Sequence, residues 1–185
     1  SLRYDHLEGP ARTMFLVALD EAREVVKTYQ SQPRGLYLYG PTGSGKTLLS
    51  CAILNEILRL YQTGVQYAKI SRDVLGKLKA TFNPNSENYG EGQAIEERLA
   101  RVPALVIDDF GVHRESPWVN SVLYDLIDAR YENQLLTILT SNEPLDSWKE
   151  ISGGRVYSRL HEMFRVVHIE TPDYRLRDEY APGHP

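Results

Sequence analysis

The sequence has little of several features that would point to a secreted, membrane-bound or metal-stabilised protein. Cys51 is the only cysteine among 185 residues, so no internal disulfide can form, and we expect a reducing compartment, the cytoplasm. No apolar run approaches the roughly 20 residues that a membrane-spanning helix needs, and we expect no membrane contact. The five histidines show neither an HExxH pattern nor Cys/His zinc spacing, so we predict no structural metal ion.

A net positive charge is also lacking, because 21 Lys and Arg residues are outnumbered by 25 Asp and Glu residues and the net charge is −4. This balance argues against a protein whose whole surface binds nucleic acid. A local basic groove stays open, since the placement of charges rather than their sum steers a charged ligand. The apolar content of 42% is typical of a globular domain.

The sequence does contain a regular alternation of strand and helix patterns. The predicted strands are residues 35–39, 65–70, 104–108, 135–140 and 166–169. The predicted helices are residues 11–30, 46–61, 71–82, 93–101, 117–133 and 156–164, with a polar loop at 83–92. This alternation indicates an α/β fold with three layers and a mainly parallel sheet. We predict one domain over 1–185, made of an N-terminal linker and helix (1–34), a core (35–171) and a C-terminal tail (172–185).

The strongest motif is the pattern Gly-x-x-x-x-Gly-Lys-Thr at residues 40–47, here called the phosphate loop. It lies between a predicted strand and a predicted helix, where glycines let the backbone approach phosphates and the helix presents its positive end. The motif predicts a nucleoside triphosphate with Mg²⁺, in which Lys46 reaches the β- and γ-phosphates and Thr47 binds the metal. The predicted nucleotide-binding residues are Gly40, Pro41, Thr42, Gly43, Ser44, Gly45, Lys46, Thr47 and Leu48.

Polar residues end two further predicted strands at the same edge of the sheet, where open α/β sheets bind ligands. Asp108 and Asp109 follow the apolar run 104–107. We predict that Asp108 holds Mg²⁺ through water and that Asp109 orients or deprotonates the attacking water. Asn142 follows the next strand and is predicted to sense the γ-phosphate, although an asparagine before Pro144 also suits a simple turn.

These motifs resemble the AAA+ ATPase domain of the DnaC/DnaI bacterial helicase loaders and the related transposition helper ATPase IstB. The resemblance extends over residues 12–177. It is carried by residues 40–47, 105–111, 140–142, 154–160 and 173–175. It implies a P-loop NTPase that binds ATP or ADP, with a five-stranded sheet in the order 5-1-4-3-2 and a reduced or absent lid subdomain.

The resemblance also implies that nucleotide sites are shared between subunits of an ATP-dependent helical or open-ring oligomer. Arg159 matches the arginine that reaches the neighbouring subunit's γ-phosphate, and Arg155, one turn earlier, is the reserve candidate. The alternative for Arg159 is a surface salt bridge with Glu162, three residues further on. Arg175 matches a residue that contacts the nucleotide of its own subunit.

Single-stranded DNA is the nucleic acid that the resemblance implies, along the inside of the assembly. Cations that track phosphates and aromatic rings that stack on bases are typical of such binding. The predicted contacts are Lys79, Phe82, Ser116 and Trp118. Phe82 alternatively belongs to a core stripe with Leu78, and Trp118 alternatively packs the start of its helix.

We therefore interpret the chain as the ATPase domain of a loader of the replicative hexameric helicase. The amino-terminal helicase-binding region of full loaders is not found, so we expect one domain of a longer protein or one that begins late. The alternatives are an IstB-like transposition helper, a small-molecule kinase of the P-loop class, and a nucleotide-gated module with little hydrolysis. Clusters of lid arginines and an acceptor pocket, which such kinases need, are not found.

Substitution of Lys79 and Phe82 together by alanine is expected to weaken single-stranded DNA binding, because it removes one phosphate contact and one stacking ring. Nucleotide affinity should be unaffected. Fluorescence anisotropy with labelled oligo-dT, beside titration of an ATP analogue, measures both. Unchanged DNA affinity in the double variant would contradict the assignment.

Overall fold

The computed structural model describes residues 7–31, 34–70, 92–111, 117–149 and 154–172. The described helices are α1 (Gly9–Thr28), α2 (Lys46–Tyr61), α3 (Gly92–Arg101), α4 (Pro117–Glu132) and α5 (Arg155–Met163). The strands are β1 (Gly35–Tyr39), β2 (Val65–Lys69), β3 (Ala104–Asp108), β4 (Leu136–Ser141) and β5 (Phe164–His168), and a 3₁₀ helix spans Leu145–Trp148. The predicted helix at 71–82, most of the loop at 83–92 and most of the tail at 172–185 lie outside the described residues.

The five strands form one sheet in the order β2-β3-β4-β1-β5, which is the predicted order 5-1-4-3-2 viewed from the other edge. Every pairing in it is parallel. Parallel sheets are covered on both faces, and this one is covered by α1 and α2 on one face and by α3, α4 and α5 on the other. The predicted three-layer α/β fold is therefore confirmed.

The sheet order brings the carboxyl ends of β1, β3 and β4 next to one another. The buried residues of β3 and β4 are continuous along each strand, because helices cover both faces. Only the ends of the strands can present polar groups to a ligand.

Among the described residues, no helix is long and apolar enough to cross a membrane.

The last helix ends one residue earlier, and the last strand begins two residues earlier, than predicted. These two predicted boundaries are wrong because Phe164 continues the apolar helical spacing of Val156 and Leu160, which favours a helix up to residue 164. In the structure Phe164 is extended, with φ −118° and ψ 146°, and opens β5 opposite Gly35. A Cβ on Gly35 would lie 2.7 Å from the Phe164 ring, so the glycine makes room for this side chain.

Arg130, near the end of α4, is completely buried and joins three elements. Its guanidinium donates hydrogen bonds to the carbonyls of Leu99 in α3 and Val102 just after it, at 2.7 and 2.8 Å. It also donates to the carbonyl of Leu136 and the hydroxyl of Thr137 in β4, at 2.6 and 2.8 Å. Burial lowers the pKa of Arg130 to about 10, so the group is still charged at neutral pH. Arg130 thus fixes α3, α4 and β4 to one another at the end of the sheet where β4 begins.

Candidate active site at the carboxyl edge of the sheet

The phosphate loop begins where β1 ends, and Gly40 fixes its direction. Gly40 has φ +147°, and its N–H donates to the carbonyl of Ser141 at 3.2 Å. A Cβ at this position would lie 1.9 Å from the Ile169 carbonyl oxygen, so only glycine fits against the end of β5. Gly43 and Gly45 also have positive φ, +82° and +93°, which side chains with a Cβ rarely adopt.

The inside of the loop is held by Lys46 and by the end of the described chain. The buried Lys46 ammonium donates to the carbonyls of Gly40 at 2.7 Å and Pro41 at 2.8 Å. The Thr171 hydroxyl donates to the Ser44 carbonyl at 3.0 Å. The loop is therefore anchored from its own helix and from the segment that follows β5. The predicted phosphate contact of Lys46 stays a prediction.

Asp108 lies at the centre of the site and is 2% exposed. Thr47 and Thr140 donate to its Oδ1 at 2.8 and 2.6 Å. Tyr67 donates to its Oδ2 at 2.6 Å. A buried carboxylate needs such partners, because an uncompensated charge inside a protein is costly. The structure thus brings together Thr47 and Asp108, the two residues predicted to hold the metal.

Two side chains near Asp108, those of Tyr67 and Cys51, have raised pKa values. Burial, and then the hydrogen bond to Asp108, raise the pKa of Tyr67 well above its usual range. Burial and the negative charge of Asp108 likewise raise the pKa of the Cys51 thiol on α2. Both groups therefore keep their protons at neutral pH, and the phenol of Tyr67 is available to donate.

Asp109 directs its carboxylate to the neighbouring strand β2. Its backbone has φ +60°, and its N–H donates to the Thr140 hydroxyl at 3.1 Å. Its Oδ2 lies 2.7 Å from the ammonium of Lys69, and its side chain is 32% exposed. The Thr140 hydroxyl therefore connects both acidic residues, donating to Asp108 and accepting from Asp109.

The donor set around Thr47 and Asp108 fits Mg²⁺. A hydroxyl and a carboxylate supply the hard oxygen atoms that Mg²⁺ prefers, and Mg²⁺ usually binds through one or two carboxylates plus phosphates rather than in an all-protein cage. No cluster of three or more His, Cys, Asp or Glu side chains that could hold a metal is found in the described part of the chain.

Two further predicted site residues, Asn142 and Arg159, occupy different surroundings. Asn142 follows β4 and is exposed. Arg159 on α5 contacts α4, where its Nε is 2.8 Å from Asp128 Oδ1 and its guanidinium lies 4.0 Å from the centre of the Tyr131 ring. The predicted alternative partner Glu162 is also present, at 3.5 Å. Within one subunit Arg159 is therefore part of an ion pair, and its role towards a neighbour stays a prediction.

Most of the remaining predicted contacts have side chains that the structure does not describe. Lys79, Phe82, Ser116 and Arg175 fall in the undescribed segments, and Leu48 is exposed at the start of α2. Trp118 and Arg155 belong to the first turns of α4 and α5, but their side chains are not among those described.

Sequence reasoning missed Tyr67, Lys69 and Thr140. Tyr67 and Lys69 lie on β2, and Thr140 is the residue before the last of β4. The sequence contains one signal for these residues. A hydroxyl or charged side chain near the end of a strand next to β3 lies at the same edge of the sheet as Asp108. In the register of β2 on β3, Lys69 lies opposite Asp108. This register brings Tyr67 into contact with Asp108 and Lys69 into contact with Asp109.

Comparison with known proteins identifies the family of this chain. A family model described as "IstB-like ATP binding protein" matches residues 25–181. The chain belongs to this family. It is 29% identical over 143 residues to the replicative helicase loader DnaC of Escherichia coli (strain K12), a match that covers 77% of this chain and 56% of DnaC. It is 30% identical over 182 residues to the replicative helicase loader DnaI of Bacillus subtilis (strain 168), which covers 90% and 53%. It spans about half the length of these curated relatives.

Solved structures with the same fold are found for this chain. The crystal structure of the DnaC helicase loader matches with a TM-score of 0.72 and 25% identity, covering 89% of this chain and 93% of that one. Domain III of the Thermotoga maritima replication initiation protein DnaA matches with a TM-score of 0.73 and 24% identity, covering 90% and 65%. The second likeness shows the fold alone, and together they confirm an AAA+ P-loop NTPase fold.

Replacement of Thr140 by valine is expected to lower the free energy of unfolding by about 1–3 kcal/mol, because a buried carboxylate loses a donor and the Asp109 N–H loses its acceptor. Urea denaturation measures the change. Thr140→Ser keeps the hydroxyl and removes one methyl group, so it should cost about 1 kcal/mol or less. Equal losses in the two variants would show that the hydroxyl contributes nothing.

Proposed function

We propose that this chain is the ATPase domain of a loader of the replicative helicase, which binds ATP with Mg²⁺ and single-stranded DNA and assembles with copies of itself. The hydrogen bond between Thr47 and Asp108 is the observation that supports it most directly. It links the phosphate loop to a buried carboxylate in the way that a metal-dependent triphosphate site requires. The similarity to DnaC and DnaI supports the loader role.

In this proposal the phosphate loop holds the triphosphate through its backbone N–H groups and the amino end of α2. Thr47 and Asp108 hold Mg²⁺, which when bound neutralises the charge that develops on the phosphates. Asp109 orients the attacking water and accepts its proton. Its ion pair with Lys69 fixes where that carboxylate points. Asn142 contacts the γ-phosphate from the end of β4.

Arg159 completes the site of a neighbouring subunit in this proposal. Its side chain is 26% exposed, and its guanidinium contacts Asp128 and Tyr131 of its own subunit, so assembly has to exchange these contacts for phosphate. A guanidinium supplied in trans stabilises the charge of the transferring group. Hydrolysis is then slow in the isolated subunit and depends on assembly on DNA.

Mixing two inactive variants is expected to restore hydrolysis if the site is shared. Arg159→Ala and Asp109→Asn should each lower the rate with single-stranded DNA by about 10³-fold or more. In a 1:1 mixture, roughly a quarter of the interfaces combine an intact Asp109 with an intact Arg159 from the neighbour. Phosphate release is the measurement, and we expect roughly a quarter of the unsubstituted rate.

A matched control is Arg165→Ala, because Arg165 is also a half-buried arginine in an ion pair, with Glu21 at 2.9 Å. This variant should hydrolyse ATP at the unsubstituted rate. If the mixture is no more active than its two components measured separately, Arg159 acts within its own subunit or has no role in hydrolysis.

An IstB-like transposition helper is the second candidate, because the matching family model carries that description. The chain is also 28% identical over 135 residues to the insertion sequence ATP-binding protein y4pL of Sinorhizobium fredii, which covers 72% of this chain and 51% of y4pL. The two candidates share the ATP site and differ in the protein partner.

A binding assay with purified partners distinguishes the two candidates. The gene's full product, immobilised with a non-hydrolysable ATP analogue, is expected to retain the hexameric helicase of the same organism and not the transposase. Nucleotide-free protein provides the control, since a loader should require the triphosphate for stable assembly. Retention of the transposase alone would favour the transposition helper.

A further inference from the structure

The ion pair that holds Arg159 within its own subunit is short but poorly aligned. The Nε atom of Arg159 on α5 lies 2.8 Å from Oδ1 of Asp128 on α4. Both atoms are buried, and neither has a hydrogen-bond partner among the described residues. The Nε–H therefore does not point at the carboxylate oxygen, and charge rather than a directed hydrogen bond holds the two side chains together.

Asp128 supplies the strongest charge interaction that Arg159 makes in its own subunit. Glu162 is further away, with its Oε2 3.5 Å from Nη1 of Arg159, and its side chain is 57% exposed, so solvent screens the attraction. Asp128 is closer and only 28% exposed. Tyr131, three residues after Asp128 on the same side of α4, adds a cation–π contact from a neutral ring.

The resting position of Arg159 thus combines an attraction with an unmet hydrogen bond. A buried N–H without a partner is costly, and the phosphate oxygens of a nucleotide accept from a guanidinium in an aligned, charge-assisted geometry. The carboxylate of Asp128 opposes a move to phosphate, because it would lose its contact with a positive charge. Its side chain is partly exposed, so water can hydrate it once Arg159 has left.

We propose that Asp128 is a positioning residue, which holds Arg159 in its own subunit and sets how readily the guanidinium passes to the nucleotide of a neighbour. This inference rests on the proposed function, since it requires that Arg159 act in trans. Asp128 acts through Arg159 and not on the nucleotide. Removal of its charge should therefore favour assembly without changing the rate of hydrolysis in the finished assembly.

Asp128→Asn tests the inference, because it keeps the shape of the side chain and removes its charge. Phosphate release per subunit is measured against the concentration of the gene's full product, with ATP and single-stranded DNA. The concentration at half-maximal rate is expected to fall by about threefold or more, while the maximal rate stays the same. Glu21→Gln is the matched control, because Glu21 forms a comparable ion pair with Arg165 at 2.9 Å, and it should leave both values unchanged.

A second measurement separates the hold on Arg159 from any other effect of Asp128. Analytical ultracentrifugation with a non-hydrolysable ATP analogue follows assembly itself. Asp128→Asn should lower the concentration at half-assembly in the unsubstituted chain and leave it unchanged when Arg159→Ala is also present. A shift that persists without Arg159 overturns the inference, because Asp128 would then act on the interface directly.

A fall in the half-maximal concentration of less than about threefold overturns the inference and leaves the proposed function standing, if the mixture of Arg159→Ala and Asp109→Asn regains activity. A rise in that concentration, or a lower maximal rate, also overturns it, because Asp128 would then orient Arg159 for hydrolysis. If the mixture regains no activity, Arg159 does not act in trans, and that part of the proposed function fails together with the inference.

Discussion

A negative charge buried at the end of β3 is the constraint on which the rest of this site depends. Asp108 is 2% exposed, and a charge in that position is costly unless hydrogen bonds or a cation compensate for it. The compensating hydroxyls come from α2, β2 and β4. Because β2 and β4 are the two neighbours of β3 in the sheet, the order of the strands is what allows all three to reach one carboxylate.

Strand β2 serves both acidic residues of the site, although it lies at the edge of the sheet. Tyr67 donates to Asp108, and Lys69 pairs with Asp109. Both acidic residues are therefore held from the same edge strand. The chain leaves β2 two residues after Lys69 and enters residues 71–92, for which DNA contacts are predicted.

The phosphate loop, Asp108 and the strand order were predictable, because each depends on a local pattern or on a family resemblance that such patterns carry. Tyr67 and Thr140 were not, since in the sequence they look like ordinary strand residues. Their hydroxyls reach Asp108 only because of the register between neighbouring strands. That register depends on contacts between residues far apart in the sequence. The start of β5 was misplaced for a similar reason, because Phe164 fits a helical pattern until the space above Gly35 is known.

The end of β5 contacts the phosphate loop twice, through the close approach of Ile169 to Gly40 and through the hydrogen bond from Thr171 to Ser44. Glycine at position 40 allows the first contact, and a single side chain makes the second. Both contacts are made by residues 169–171, so the conformation of the phosphate loop depends on how the chain continues after β5 as well as on the loop's own sequence.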